Sequence, residues 1–409
     1  MYRYIKLRSK VYFCKGKQNS LIMDCNRLKL YHLDKEATEY LGFLLNGYAI
    51  NTEYISDEEK LNLIKFLVDK KLIKFTKEYE NSQLLPNAYL NHKVKTVWFE
   101  LRKACNMKCL HCYNESEPFA DVLENILTIE QWKNIVIQLQ EYKPTTIVLI
   151  GGEPLMYREI IELIRFTYEH LPNTQLVLYS NLSLLNDELI NILAEYKVKV
   201  VTSIYSYKDT IHDSITQVIG SHKKTVENVK NLKKRKIDVR ANTVIMRTNQ
   251  HDIKETKEFI NKLTGHNPKS DIVRCVTDDL LHLKPTNIPN AHVISSEKKF
   301  SGITQEKLMR AIAGNSCWQG KLNISYDGYI SPCIMWENCE ETYNLKKYSL
   351  KEVLENQLFP NFWSLSKDCI EVCKDCEFRY VCHECRPLSQ SLEKRGNICR
   401  YDPYKGKWE

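Results

Sequence analysis

No stretch of the chain approaches the ~20 consecutive apolar residues that cross a bilayer; the longest runs are of the type Thr146-Ile-Val-Leu-Ile150. The first residues, Met1-Tyr-Arg-Tyr-Ile-Lys6, have neither the continuous apolar core nor the small-residue cleavage site of a secretory signal. A fixed-period repeat is missing. So are a zinc-finger histidine pair, a recognition-helix pattern and an aromatic RNA-binding motif, which argues against a nucleic-acid partner. A hydrophobic content of 43 % beside 27 % charged residues excludes a disordered or collagen-like chain. The expectation is a soluble, cytoplasmic protein with no membrane segment, its 409 residues enough for two to four domains.

Cysteine also falls short of a disulfide scaffold: 15 in 409 residues is well under the ~8–10 % of such chains. What cysteine there is lies in clusters. Nine of the 15 follow Ser316, and three more stand together at Cys105, Cys109 and Cys112. In a reducing compartment that distribution points to metal or redox chemistry. Cys14, Cys25 and Cys275, each alone on an apolar segment, read as small core residues. Lys and Arg outnumber Asp and Glu by 59 to 51, a net charge of +8. The densest basic segment, 221–240, repeats Val226, Val229 and Leu232 at helical spacing and reads as a solvated helix face.

Residues 1–90 read as a winged-helix-like module. Segments 4–14, 21–23 and 28–32 are strand-like, and Asp34 caps a helix with Ala37, Tyr40, Leu41 and Leu44 inward. Ser56 and Glu59 form a capping box ahead of a second helix, and 72–75 is a closing strand. From 91 to 300 the pattern alternates. Strands are expected at 94–101, 145–150, 175–179, 197–204, 239–246 and 272–276, with helices at 129–140, 159–170, 187–195, the basic segment and 254–262. Repeated βα units with β-branched strands predict an α/β fold, a partial (β/α)6 barrel whose functional residues sit on loops at the C-terminal strand ends. Residues 301–409 open with a helix at 304–313 and are otherwise a cysteine-rich domain.

Cys105-Asn-Met-Lys-Cys109-Leu-His-Cys112 directly follows the first barrel strand. Three thiolates at spacings of four and three can wrap one face of a cuboidal iron-sulfur cluster, and the lack of a nearby fourth leaves one iron open. A zinc knuckle wants a fourth protein ligand close by, and His111, adjacent to Cys112, is badly placed to chelate the same ion. Gly151-Gly152-Glu153-Pro154 follows the second strand, where glycines let backbone approach a ligand closely. In both features the chain resembles the radical S-adenosylmethionine (SAM) enzymes, whose signature is this cysteine spacing with an aromatic residue before the last cysteine, here His111. The resemblance implies that the cluster on Cys105, Cys109 and Cys112 chelates SAM and that Gly151, Gly152, Glu153 and Pro154 hold its amino group. It also implies SAM contacts from Ser180 and Asn181 after the third strand, Ser203 after the fourth, and Arg240 with Asn242 on the fifth. A structural hydrogen bond is an equal reading of each, and the glycine that usually follows the Ser-Asn pair is Leu182 here.

The C-terminal cysteines resemble the SPASM type of auxiliary iron-sulfur domain. Cys317, Gly328 and Cys333 look like its opening, with Tyr326-Asp-Gly-Tyr329 as a hairpin turn, and Cys373, Cys376, Cys382 and Cys399 look like its second half. Carried over, the latter four enclose one 4Fe-4S cluster, while Cys317, Cys333 and Cys385 hold another, with Cys339 as fourth ligand or an open iron. Cys369 is a further candidate. The chain departs from the pattern in separating Cys382 from Cys385 by two residues rather than three, and in having Asn323 where some relatives place a cysteine. Three 4Fe-4S clusters are therefore implied, one binding SAM and two auxiliary.

The N-terminal module resembles the peptide-recognition domain of maturases for ribosomally made peptides, in which a leader peptide adds a strand to a sheet edge. The run 376–386 resembles maturases found alongside ATP-grasp peptide ligases. These resemblances imply a radical SAM peptide maturase that takes a precursor peptide with its leader, is reduced by a flavodoxin or ferredoxin, and installs an oxidative cross-link. A cysteine thioether is favoured. Carbon-carbon cross-linking or another radical peptide modification, including sulfatase-type maturation, competes with it. A non-catalytic, metal-containing peptide-binding adaptor is the reading of a different class.

Overall fold

The computed structural model describes residues 3–50, 57–82, 84–90, 93–114, 116, 125–275, 278–286, 294, 296–336, 343–355, 358–389, 391–396 and 398–409. By contact the chain divides into two compact units. One comprises Met1–Leu90, Val293–Gln319 and Trp363–Glu409; the other comprises Asn91–His292 and Gly320–Phe362. This grouping runs across the sequence spans 1–90, 91–300 and 301–409, because the cysteine-rich region is shared between the units.

In the first unit, β1 (Tyr4–Leu7) and β2 (Val11–Lys15) stand where one strand is expected, since Lys10 adopts a left-handed φ of 60° and turns the chain. β3 (Ser20–Asp24) and β4 (Lys29–Leu33) continue β2 as an antiparallel meander, and β5 (Ile73–Thr76) pairs antiparallel with β1. Asp34 caps helix Lys35–Leu45, accepting from the Ala37 amide at 2.9 Å. Helix Glu58–Asp69 is capped by Asp57, which accepts from the amides of Glu59 and Lys60; the expected cap Ser56 lies outside the described residues.

The sheet β2–β3–β4 packs on both faces, which the apolar runs Val11–Cys14 and Leu21–Met23 require. Val11, Phe13 and Ile22 enter a core with Leu41, Leu44 and Leu67. The alternate residues Tyr12, Cys14, Leu21 and Met23 enter a second core with Ile303, Leu308, Phe378, Tyr380, Val381 and Tyr401, and Cys25 joins it. A polar seam reinforces the second face. His32 Nε2 lies 2.9 Å from the buried Glu377 carboxylate, which also accepts from the Tyr401 hydroxyl. The N-terminal sheet and the last cysteines of the chain are thus one packed body rather than separate modules.

The second unit is a mostly parallel eight-stranded sheet. β6 (Thr96–Glu100), β7 (Thr146–Ile150), β8 (Gln175–Tyr179), β9 (Lys199–Ser203), β10 (Val239–Ile245) and β11 (Ser270–Ile272) lie side by side in chain order, all parallel. β12 (Lys321–Ile324) adds to the free side of β6 in parallel, and β13 (Ile330–Ser331) folds back on it as the hairpin expected at 326–329. Among the described residues the sheet does not close, as the count of six βα units predicts. Helices follow the strands: Ile129–Tyr142, with the Thr128/Gln131 capping box in place, Ile160–His170, Asp187–Glu195, Ser221–Lys234 and Ile253–Thr264. A further helix, Asp209–Thr216, escapes the sequence pattern because it is short and rich in Asp, Ser and Thr, which are weak helix formers. The basic helix buries Thr225, Asn228, Val229 and Leu232, its lysines lying on the other side.

Candidate active site

Backbone pairing between β6 and β7 continues beyond both strands. The Leu101 amide donates to Ile150 O, Gly152 to Arg102 O and Glu153 to Ala104 O, at 2.8, 2.7 and 2.9 Å. That zipper draws the cysteine segment across the end of β7, and it explains the two glycines. A Cβ on Gly151, whose φ is +152°, would stand 2.4 Å from Arg102 O, and one on Gly152 would stand 2.3 Å from Ala104 O. On its far side the segment is held by the Leu110 amide donating to Ile215 O at 2.9 Å, at the end of helix Asp209–Thr216.

The result is a cavity of about 290 Å³ at the C-terminal ends of the strands. Cys105, Cys109, Cys112 and His111 line it together with Gly151, Gly152, Ser180, Asn181 and Ser203. All nine are expected neighbours, and they come from four separate loops. Pro154 and Glu153 lie outside the lining. Glu153 is fully buried and accepts from Ser180 Oγ at 2.7 Å, the Asn181 amide at 2.8 Å and the Leu155 amide at 3.0 Å, tying the ends of β7 and β8 together. Arg240 sits elsewhere, half-exposed in a smaller recess with Tyr179, Lys199, Asn242 and Lys269, 3.8 Å from Asp238.

Burial raises the Cys105 thiol to about 11 and the Cys109 thiol to about 12, so iron must displace their protons. His111 is desolvated to about 4 and is neutral; its ring meets Tyr205 edge-on at 4.8 Å, and its buried Nδ1 has no partner. Among the described residues no three His, Cys, Asp or Glu side chains converge as on a single ion. Thiols spaced around a void with an orphaned nitrogen and a glycine floor suit a larger group, and the three cysteines with one open position fit an iron-sulfur cluster carrying a ligand.

Sequence reasoning passed over Asn106 and Tyr205. Asn106 accepts from Asn181 Nδ2 at 2.9 Å and donates to Ser183 Oγ at 2.7 Å, fastening the cysteine segment to the end of β8. Its signal was its position next to the first cysteine. Tyr205, two residues beyond Ser203, lines the cavity beside Cys109. Leu182, where a glycine is usual, takes a left-handed φ of 64° while fully buried, and Asn228 Nδ2 donates to its carbonyl at 2.7 Å. Leu182→Gly should relieve ~1–2 kcal/mol of backbone strain but lose ~2–5 kcal/mol of packing, a net destabilisation measurable by urea unfolding.

Glu100 ends β6, buried, and accepts from Asn114 Nδ2 at 2.9 Å and from Asn323. Desolvation raises its carboxyl to about 7. Because the folded state holds the proton more tightly than the unfolded chain, stability is highest below about pH 4.5 and declines as pH rises to 7. In the metal-free chain, Glu100→Gln should remove about 3 kcal/mol of that decline, read as the difference between unfolding free energies at pH 5 and pH 8.

In the first unit, Cys373, Cys376, Cys382 and Cys399 line a single cavity with Lys367, Arg379, Glu384 and Arg395. The charge of Cys382 is felt by each of the other three thiols, so the four belong to one set. Four thiols around one space fit a fully ligated cluster. Cys317, Cys369 and Cys385 also belong to this unit, Cys333 belongs to the other, and Cys339 lies outside the described residues.

The Radical SAM superfamily matches residues 100–260, and the SPASM iron-sulfur cluster-binding domain matches residues 317–377. The chain belongs to the radical SAM enzymes that carry a SPASM domain. SAM and iron-sulfur clusters are accordingly its cofactors. The enzyme is 25 % identical over 322 residues to the antilisterial bacteriocin subtilosin biosynthesis protein AlbA of Bacillus subtilis, covering 74 % of this chain and 70 % of AlbA. It is 23 % identical to an AdoMet-dependent heme synthase of Methanosarcina barkeri, covering 76 % and 95 % of the two chains. In fold it is similar to Streptococcus suis SuiB, whose structures bound to S-adenosylmethionine and to the precursor peptide SuiA superpose with TM-scores of 0.61 and 0.57, each at 15 % identity over 97 % of this chain and all of SuiB. No helix among the described residues is long and apolar enough to cross a membrane.

Proposed function

We propose that the enzyme modifies a ribosomally made precursor peptide in the cytoplasm, installing an oxidative cross-link that is favoured to be a cysteine thioether. The observation that carries the reading is the joint presence of the strand-end cavity and an N-terminal sheet in a chain whose relatives include a bacteriocin biosynthesis protein and a fold neighbour solved with its precursor peptide. Cys105, Cys109 and Cys112 would hold the SAM-binding cluster, Gly151 and Gly152 would bring backbone against SAM, and Ser180, Asn181 and Ser203 would border its nucleoside. SAM and a reduced cluster, when bound there, would supply the radical chemistry that removes hydrogen from the peptide. The chain's part is to orient the two partners and exclude water: neutral His111 and the Tyr205 ring wall one side of the cavity without presenting a charge.

Two auxiliary clusters complete the reading, one on Cys373, Cys376, Cys382 and Cys399 and one drawing on Cys317, Cys333 and Cys385. A flavodoxin or ferredoxin is the reductant, and an ATP-grasp ligase is a candidate companion. β4, an outer strand of the β2–β3–β4 meander, offers an edge for strand addition by a leader. Reduced enzyme, SAM and the peptide encoded beside it should yield 5′-deoxyadenosine and a peptide lighter by about two daltons with one fewer alkylatable thiol, the loss of two hydrogens. Deoxyadenosine with every thiol still alkylatable would sink the thioether; an unmodified peptide and a modified tetrapyrrole would favour heme synthesis, the reading that the Methanosarcina relative supports.

A further inference from the structure

Beside the four-thiol cavity of the first unit lies a group of buried charges. Lys367, its side chain 15 % exposed, places Nζ 2.6 Å from Glu384 Oε2. Glu384, 2 % exposed, uses its other oxygen to accept from the Arg386 guanidinium and from the Gly396 amide at 2.8 Å. Arg386 is equally buried, anchored to Ser391 O at 2.9 Å and Lys394 O at 3.0 Å, with its Nε lacking a partner. Two cations and one anion leave this trio with an excess of one positive charge. Buried charge is tolerated only when it is compensated. The compensating partner is next to it: Lys367 and Glu384 both line the cavity of Cys373, Cys376, Cys382 and Cys399, and Lys367 is near enough to Cys382 and Cys373 to feel their charge.

Four thiolates around an iron-sulfur core carry net negative charge, and one-electron reduction of the core adds one more. A cation fixed at the edge of such a site stabilises the added electron, and an anion opposes it, more strongly than at the surface because the local dielectric is low. The other charges on this cavity wall are Arg379 and Arg395. Arg379 is engaged with Asp368, at 2.8 Å, and with the Lys15 and Cys376 carbonyls, and Arg395 donates to Tyr401 O. Lys367 and Glu384 are the pair whose charges oppose one another at the cavity wall.

We infer that Lys367 and Glu384 set the reduction potential of the auxiliary cluster held by Cys373, Cys376, Cys382 and Cys399, Lys367 raising it and Glu384 lowering it. The inference rests on the cluster assignment proposed above. It gives this part of the chain a task beyond cluster retention, that of making the cluster a better or worse acceptor for the electron a substrate radical gives up.

The test uses the full-length, anaerobically reconstituted enzyme, titrated with dithionite through redox mediators and followed by electron paramagnetic resonance. The signal to follow is the one that disappears in Cys382→Ala. Lys367→Met should shift its midpoint to lower potential, Glu384→Gln should shift it to higher potential, and Lys367→Arg should restore the parent value. Iron and sulfide content is measured on each variant; if Lys367→Met fails to hold its cluster, a parent midpoint in Lys367→Arg beside a raised midpoint in Glu384→Gln decides. Midpoints that stay put, or move in the same direction in Lys367→Met and Glu384→Gln, overturn the inference alone. A protein in which Cys382→Ala removes no iron and no signal overturns the cluster assignment, and the tuning with it.

Discussion

Gly152→Ala should abolish deoxyadenosine formation, by at least ~100-fold, while Gly42→Ala leaves it untouched. A methyl on residue 152 would lie 2.3 Å from Ala104 O and 2.4 Å from Lys103 O. Both are backbone atoms of the cysteine segment, so no side chain can swing away to accommodate it. The hydrogen bonds from Gly152 N to Arg102 O and from Glu153 N to Ala104 O have to lengthen, and the segment bearing Cys105 moves off the end of β7. Displacements near an ångström at a reacting centre cost about 10²-fold. Gly42, inside helix Lys35–Leu45, has open space where a Cβ would go, and alanine there should add ~0.5–1 kcal/mol of helix stability. The comparison separates a glycine kept for close approach from one that is incidental. If Gly152→Ala turned over SAM at the parent rate with its iron intact, the account of the cavity floor would be wrong.

The same glycines show how far the sequence speaks for itself. Gly151-Gly152 after a strand suggested close backbone approach to a ligand, and the approach the structure shows first is to the cysteine segment of the same chain. The parallel βα alternation of the second unit followed from β-branched runs and helix caps, because each such run is long enough to state its own period. The pairing of β12 with β6 did not, since partners more than 200 residues apart carry no local signal. Its motif groups Glu153 with the SAM contacts; its burial against Ser180 and Asn181 is a tertiary fact that no spacing rule contains. Arg240 illustrates the converse. It stands on β10 two residues before Asn242, the Cα partner of Ser203, and it lines the recess with Tyr179, Lys199 and Lys269 rather than the cavity of the cysteines. In the first unit, the all-apolar runs of β2 and β3 already implied burial on both faces, and only the fold reveals that the second face is covered by Phe378, Tyr380 and Tyr401 from the cysteine-rich end.

Cys382→Ala should separate SAM cleavage from product formation. Cys382 is the thiol whose charge reaches Cys373, Cys376 and Cys399 alike, so its loss opens the set at its common neighbour. Unlike Cys376 and Cys399, it is not packed against the core that joins the N-terminal sheet to the chain's last residues, so the variant should stay folded. About four irons per chain should be lost. The strand-end cavity belongs to the other unit and keeps Cys105, Cys109 and Cys112, so 5′-deoxyadenosine should still appear with reductant and SAM. Cross-linked peptide should fall by about 100-fold or more, because a carbon-centred radical with no oxidant must regain hydrogen or persist, whereas a new bond needs an electron removed. Peptide recovered with deuterium from heavy water at the abstraction site would mark the uncoupled route. Undiminished cross-linking in a variant that had lost those irons would instead assign electron acceptance to another centre, and would remove the reason for a charged pair at Lys367 and Glu384 to be tuned at all.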